Sequence, residues 1–377
     1  MATTPREDVL TIAELKEAAT AKLSDTTRGY FNGGAMEMKT LRENETAYDK
    51  FKIRQRILVD VASVNTTTRI FGSEVSLPLA FAPSAMHGLA HPVAERGTSR
   101  AAACKNIPMG LSTYSTTSLE DVIKERGDAT NPYVFQLSIT KDRSIPLGLI
   151  KRAEGRSSVH RHSTDELTDA GYKALVLTVD APVLGRRLGE LRNKVTLPDS
   201  MCLPNLGGLR TIANPGRDAS NSWASVVPWV RSHTKLDIWL KGIYCAEDVL
   251  LAIRYGIDGV IVSNHGGRQL DGAAATIDVL PECAAAAKGR IKIGIDGGIR
   301  RGSDIFKALA LGADCCFIGR IPIWGLAYDG EEGVKLAVDI LEQEFRTTMA
   351  LAGCSSIKEI SRHHLSVLGP SGLLSRL

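Results

Sequence analysis

Two short segments of the 377-residue chain bring together side chains able to do chemistry: Val262-Ser263-Asn264-His265-Gly266-Gly267-Arg268-Gln269-Leu270-Asp271, and further on Asp296-Gly297-Gly298-Ile299-Arg300. A histidine titrates near neutrality, so His265 can serve as a base at working pH. Arg268 stands three residues on, and its planar guanidinium fork matches the two oxygens of a carboxylate. The glycine pair with Arg300 lets backbone amides close on a phosphate beside a fixed positive charge. Together they offer a base, a carboxylate anchor and a phosphate seat. A histidine alone is more often structural, and glycines at turns are often only conformational, so the reading depends on what places these residues.

What places them is a recurring apolar run. Residues 259–262 and 291–295 directly precede the two segments, and similar runs occur at 77–82, 109–112, 133–137, 174–179, 238–240 and 315–318. Helical patterns lie between most of them, at 94–105, 119–126, 246–255 and 303–311. Strand–helix alternation with continuously apolar strands predicts a parallel sheet closed into a (β/α)8 TIM barrel, an α/β fold. Every run ends in a residue able to bond a ligand: Pro83-Ser84-Ala85, Ser112, Gln136, Thr178 with Asp180, Lys241, Ser263 with His265 and Arg268, Asp296 to Arg300, and Gly319-Arg320. Barrel enzymes place their chemistry at that end of the strands, and phosphate sites commonly follow the seventh and eighth. Residues 1–76 are expected to be a helical segment (12–23 and 35–51) packing on the barrel, residues 77–365 the barrel itself, and residues 366–377 a flexible tail.

Composition narrows the function classes. A formal charge of +4 without runs of like charge argues against binding nucleic acid or a membrane surface. Seven cysteines, none in a metal-ligand spacing, read as reduced thiols of an intracellular protein, and no metal site is expected. No secretory leader or membrane span is expected, and no G-x-G-x-x-G follows a strand to mark a nicotinamide site. Ser375-Arg376-Leu377 is a conservative variant of the peroxisomal tripeptide, so the expected location is peroxisomal, otherwise cytoplasmic.

On the segments around His265 and Asp296, and over most of its length, the chain resembles the FMN-dependent α-hydroxy-acid oxidases and dehydrogenases. That family includes glycolate oxidase, lactate oxidase and the flavin domain of flavocytochrome b2. The resemblance implies FMN as cofactor, a small hydroxy acid as substrate and a homotetramer, and the peroxisomal-type tail favours O2 as the acceptor. It implies His265 as the base and Asp180 as the carboxylate orienting it. Arg268, Arg187 and Tyr30 would bind the substrate carboxylate, and Lys241 would face the flavin N1/C2 carbonyl edge. Ala85, Ser112, Gln136, Thr178 and Ser263 would contact the ring edge, alongside Pro83 and Ser84. Asp296, Gly297, Gly298, Ile299, Arg300, Gly319 and Arg320 would hold the ribityl phosphate.

Three places depart from the family pattern. Ser138 stands where the family has an active-site tyrosine, leaving a larger and wetter space, and Tyr114 replaces a tryptophan of glycolate oxidases. Residues 155–168, with His160 and His162 read as solvated, look like an insertion outside the barrel. The region 203–221 is expected to act as a lid. The leading expectation is oxidation of an (S)-2-hydroxy acid to the 2-oxo acid with O2 giving H2O2. A specialised biosynthetic relative oxidising a larger hydroxy acid, with or without oxidative decarboxylation, is the alternative. Less favoured are a non-catalytic flavin-binding barrel and an FMN-dependent isomerase.

Overall fold

In a computed structural model, residues 9–155, 171–210, 216–368 and 374–377 are described. The chain opens with α1 (Ile12–Lys22), α2 (Asp25–Asn32) and α3 (Lys39–Thr46). Thr11 starts α1 with a capping box, its hydroxyl accepting from the Glu14 amide while the Glu14 carboxylate accepts from the Thr11 amide. Then come β1 (Phe51–Ile53) and a hairpin of β2 (Thr68–Ile70) and β3 (Ser73–Val75).

Eight strands follow: β4 (Leu79–Ser84), β5 (Met109–Leu111), β6 (Tyr133–Leu137), β7 (Ala174–Thr178), β8 (Asp237–Ile243), β9 (Gly259–Val262), β10 (Lys292–Ile295) and β11 (Cys315–Ile318). Each pairs in parallel with its sequence neighbour, and β11 pairs with β4 to close the barrel. Outside it lie α4 (Ala94–Cys104), α5 (Leu119–Lys124), α6 (Ser144–Ala153), α7 (Leu188–Asn193) and α8 (Trp223–His233), then α9 (Ala246–Arg254), α10 (Thr276–Ala287), α11 (Gly302–Ala310) and α12 (Arg320–Ala352). The predicted barrel is the observed one.

Strand residues alternate between the barrel interior and the helical layer. Val134, Val176, Trp239, Ile261 and Phe317 form one buried interior cluster with Ile70, Phe71 and Val75 of the hairpin. Phe71 lies against Trp239, ring centres 4.7 Å apart, and against Phe317 at 6.3 Å, so β2 and β3 stop the floor of the barrel. The space for Trp239 comes from Gly259 on the next strand, where a Cβ would fall 2.2 Å from the indole.

Two expectations about the chain ends are corrected. The first 76 residues are helical only in part: Phe51-Lys52-Ile53 alternates with period two and pairs with β12 (Leu365–Leu368), and the hairpin plugs the floor while α2 covers the opposite end. Of the described residues after 365, those of β12 and of β13 (Leu374–Arg376) are paired too, β13 adding to β12 as the third strand of that small sheet. Residues 156–168 of the expected insertion, including His160 and His162, lie outside the described residues. So do residues 211–215 of the expected lid. The part of that lid from Leu203 to Leu206 is pinned rather than loose: Leu203 is fully buried, and the Asn205 amide bonds Ser115 Oγ at 2.8 Å while its oxygen takes the Leu119 N–H. Among the described residues no helix is long and apolar enough to cross a membrane, and no group of three or more His, Cys, Asp or Glu could hold a metal.

Candidate active site

Two residues beyond the apolar interior layer, the same alternation turns polar side chains into the mouth. Gln136 follows Val134, Thr178 follows Val176, Lys241 follows Trp239, and Ser263 follows Ile261. Gln136, Thr178 and Lys241 line a cleft of about 1380 Å³, open mouth included, with Ser263 just behind it.

At its centre stands His265, held in the left-handed region (φ +59°) so that its ring turns back over the strand ends. Its Nδ1 lies 3.0 and 3.2 Å from the two oxygens of Asp180. An ionised carboxylate only accepts, so Nδ1 carries the proton and Nε2 keeps its lone pair. Burial pushes the imidazole pKa below the usual histidine range; Asp180 pulls it up, while Lys241 and Arg187 oppose protonation. Burial works to raise the Asp180 pKa, but His265 and Lys241 outweigh it and keep the carboxyl below its usual range. The backbone N–H of His265 is fixed by Ser263 Oγ at 3.1 Å.

That same Ser263 oxygen accepts from Lys241 Nζ at 2.9 Å, and Lys241 pairs with Asp296 at 3.1 Å. Burial disfavours the ammonium, but Asp296 and Asp180 prevail, so its pKa lies above the usual lysine value. Ser263 thus stands behind the cleft, spent on holding Lys241 and His265 rather than reaching into it. Asp296 lines the cleft with Oδ1 lacking a hydrogen-bond donor among the described residues.

The arginines form a second group. Arg268 donates from Nη1 to the Tyr30 carbonyl at 2.6 Å and from Nη2 to Glu190 at 2.6 Å, with its guanidinium 4.9 Å over the Tyr30 ring. Arg187 meets the same Glu190 oxygen at 3.3 Å and donates from Nε to the Arg268 carbonyl. Burial, then the neighbouring Arg268, lowers the Arg187 pKa to about 10.

At the far end, Gly297, Gly298, Ile299, Arg300, Gly319 and Arg320 line the cleft. A Cβ on Gly298 would fall 1.8 Å from the Asn44 carbonyl, so glycine here admits the close approach of α3 and leaves only backbone facing the cavity. Arg320 opens α12 and donates to the carbonyls of Phe31, Gly33 and Gly266. Burial first, then the charges of Arg268 and Arg300, brings its pKa to about 9. The cleft is lined by six cations (Arg187, Arg217, Lys241, Arg268, Arg300, Arg320) and two carboxylates (Glu190, Asp296). Buried cations in such excess call for an anionic ligand. A phosphate beside Arg300, Arg320 and the start of α12, with a hydroxyl on the buried, unpaired Asp296 oxygen, fits the residues present.

Pro83, Ser84, Ala85, Ser112, Tyr114, Gln136, Ser138 and Thr178 also line the cleft, as the strand-end reading expected. Gln136 Nε2 donates to Ser138 Oγ at 3.1 Å and to Thr178 Oγ1 at 3.0 Å, and the Tyr114 amide is held by Ser112 Oγ. Sequence reasoning missed Glu190 and Arg217. Glu190 stands three residues after Arg187 in a six-residue helix, a spacing that reads as a surface ion pair.

Comparison with known proteins agrees with this geometry. Residues 19–367 match the family model described as FMN-dependent dehydrogenase. The chain is 48% identical to Oxidase FUB9 of Fusarium oxysporum f. sp. lycopersici, covering 99% of this chain and 95% of that protein. It is 42% identical to a peroxisomal (S)-2-hydroxyacid oxidase of Arabidopsis thaliana (95% and 97%) and 41% identical to glycolate oxidase of Spinacia oleracea (95% and 96%). Mandelate oxidase solved with benzoyl-formic acid superposes with a TM-score of 0.84 at 36% identity, over 95% of this chain and 99% of that one. The chain belongs to the family of FMN-dependent α-hydroxy-acid oxidases and dehydrogenases, with FMN as its cofactor.

Proposed function

We propose that the protein oxidises an (S)-2-hydroxy acid to the 2-oxo acid, with O2 as the final acceptor and H2O2 as the second product. The observation that carries this reading is the pairing in one cleft of a neutral, carboxylate-oriented His265 with the Arg187–Glu190–Arg268 group. Two guanidinium charges against one carboxylate leave a single net positive charge, which matches one substrate carboxylate. Tyr30 adds its hydroxyl to the same corner. With the carboxylate held there, the hydroxyl-bearing C2 lies toward His265, whose Nε2 takes a proton from the substrate. Asp180 then stabilises the imidazolium that results, as an orienting carboxylate does for a histidine base.

FMN, when bound, supplies a two-electron acceptor that O2 can reoxidise. Arg300, Arg320 and the backbone of Gly298 and Gly319 would seat its phosphate, and the unpaired Asp296 oxygen would take a ribityl hydroxyl. Lys241, held charged by Asp296 and Asp180, would place a fixed positive charge at the ring edge. Ala85, Ser112, Gln136 and Thr178 would line the ring.

The test is anaerobic addition of (S)- and (R)-2-hydroxy acids to the FMN-loaded protein, followed by air. Loss of the oxidised-flavin band with the (S) acids, and recovery in air with one H2O2 per oxo acid, is expected. Reduction without recovery in air would remove O2 as the acceptor. A peroxisomal location through the exposed Ser375-Arg376-Leu377 and a homotetramer belong to the same proposal. Transfer of the tripeptide to a fluorescent protein and the mass in solution test them.

A further inference from the structure

A second cavity of about 930 Å³, open mouth included, adjoins the cleft outside the barrel wall, between the ends of β7 and β8 and the helix α8. The two cavities share Ser138, Thr178 and Arg217 in their walls, so these side chains stand at the division between them. Ser138 and Thr178 are pinned side by side by the amide of Gln136, and both are small, while Arg217 is turned to the Ala181 carbonyl. Beyond them the wall is largely aliphatic and aromatic: Leu177, Pro182, Trp223, Val226, Val227 and Ile243. Asp218, Asn221, Ser222 and Asp248 also line it; the first two are engaged elsewhere, both accepting from Arg143 while the Asn221 amide donates to the Ile139 carbonyl. The aliphatic and aromatic part of this wall offers a hydrocarbon chain a surface to bury against.

We infer that this second chamber receives the carbon chain of the substrate beyond C2, passing between Ser138 and Arg217, so that the enzyme prefers 2-hydroxy acids with an extended apolar substituent. The inference rests on the hydroxy-acid reading proposed above. The carboxylate anchor and His265 fix C1 and C2 on one side of the division, and a large, mainly apolar space lies on the other. Burying each further methylene should then raise kcat/KM by roughly fourfold until the chamber is filled.

The experiment measures kcat/KM of the FMN-loaded full chain for unbranched (S)-2-hydroxy acids from lactate to 2-hydroxydodecanoate, by anaerobic flavin reduction. It is repeated for Ser138→Tyr, which places a phenol across the division, and for Val227→Trp, which fills the far wall. Expected is a rise with chain length in the parent and a fall of at least tenfold in the ratio of long- to short-chain kcat/KM in each variant. Flavin content reports that each variant is folded. Oxidation of lactate with no rise along the series, or a ratio that neither variant moves, would overturn the chamber while leaving the hydroxy-acid reading standing. Failure of every acid to reduce the flavin would overturn both.

Discussion

The two ends of the barrel are built from the same eight strands and could hardly differ more. At the floor, Trp239 and Phe317 meet Phe71 of the inserted hairpin and leave an apolar plug with no charge to satisfy. Two residues further along the same strands stand Lys241 and Gly319, in a cleft lined by six cations and two carboxylates. A step of two residues keeps a side chain on the inside of the barrel while moving it from one layer to the next. Stability is therefore concentrated at one end and reactivity at the other, where left-handed backbone at His265 and crowded positive charge are tolerated because the floor holds the fold.

Substitutions can break that division or sharpen it. The largest effect is expected at the mouth. His265→Gln keeps the size of the side chain but removes the base, and flavin reduction should slow by about a thousandfold with FMN still bound; rapid-mixing absorbance without oxygen reads the rate. At the floor, Phe71→Ala should cost about 3 kcal/mol of unfolding free energy. The folded fraction should keep the parent's kcat/KM, as urea titration alongside steady-state assays will record. A Phe71→Ala enzyme that lost activity and kept its stability would erase the distinction between the ends.

Arg268→Lys retains the charge but loses the fork that spans Tyr30 and Glu190. KM should climb by about a hundredfold, with a smaller change in kcat. The smallest and most discriminating effects are on pH. The proposed role of His265 as base requires it neutral, and burial holds its pKa below the ordinary value, so kcat/KM should stay level as pH falls through about 6.5 and decline only below that. Asp180 favours the protonated ring and Lys241 disfavours it. Asp180→Asn should therefore move the acidic limb to lower pH and Lys241→Met to higher pH, both read from pH–rate profiles. Movement of both limbs in the same direction would mean that one of the two charges does not act on His265 as described.

Much of this was legible in the sequence, for a definite reason. Strands of a parallel barrel are buried on both faces, so β9 and β11 read as unbroken apolar runs and β6 and β7 are interrupted only by Gln136 and Thr178, which face the rim. Nearly every site residue expected from that pattern lines the cleft. The floor was less visible: β2 and β3 are three residues each, too short for a period to declare itself, and Phe71 gives no sign of facing Trp239. Ser263 was legible as a strand end, but not its use as a support for Lys241 and His265, because that depends on how two neighbouring strands are staggered. Glu190 and Arg217 reach the cleft from segments without a strand to register them. The second chamber is a gap between β7, β8 and α8, and only Ser138, smaller than the residue expected by resemblance, hinted at it.

The proposed chemistry at the rim of this barrel, oxidation of a 2-hydroxy acid with His265 as the base, stands or falls on flavin reduction. The most direct test is a paired anaerobic titration of the FMN-loaded parent and its His265→Gln variant with (S)-2-hydroxy acids of graded length. The account predicts rapid bleaching of the flavin in the parent and about a thousandfold slower bleaching in the variant at equal FMN content. Equal rates in the two proteins, or an unreduced parent with FMN in place, would contradict it.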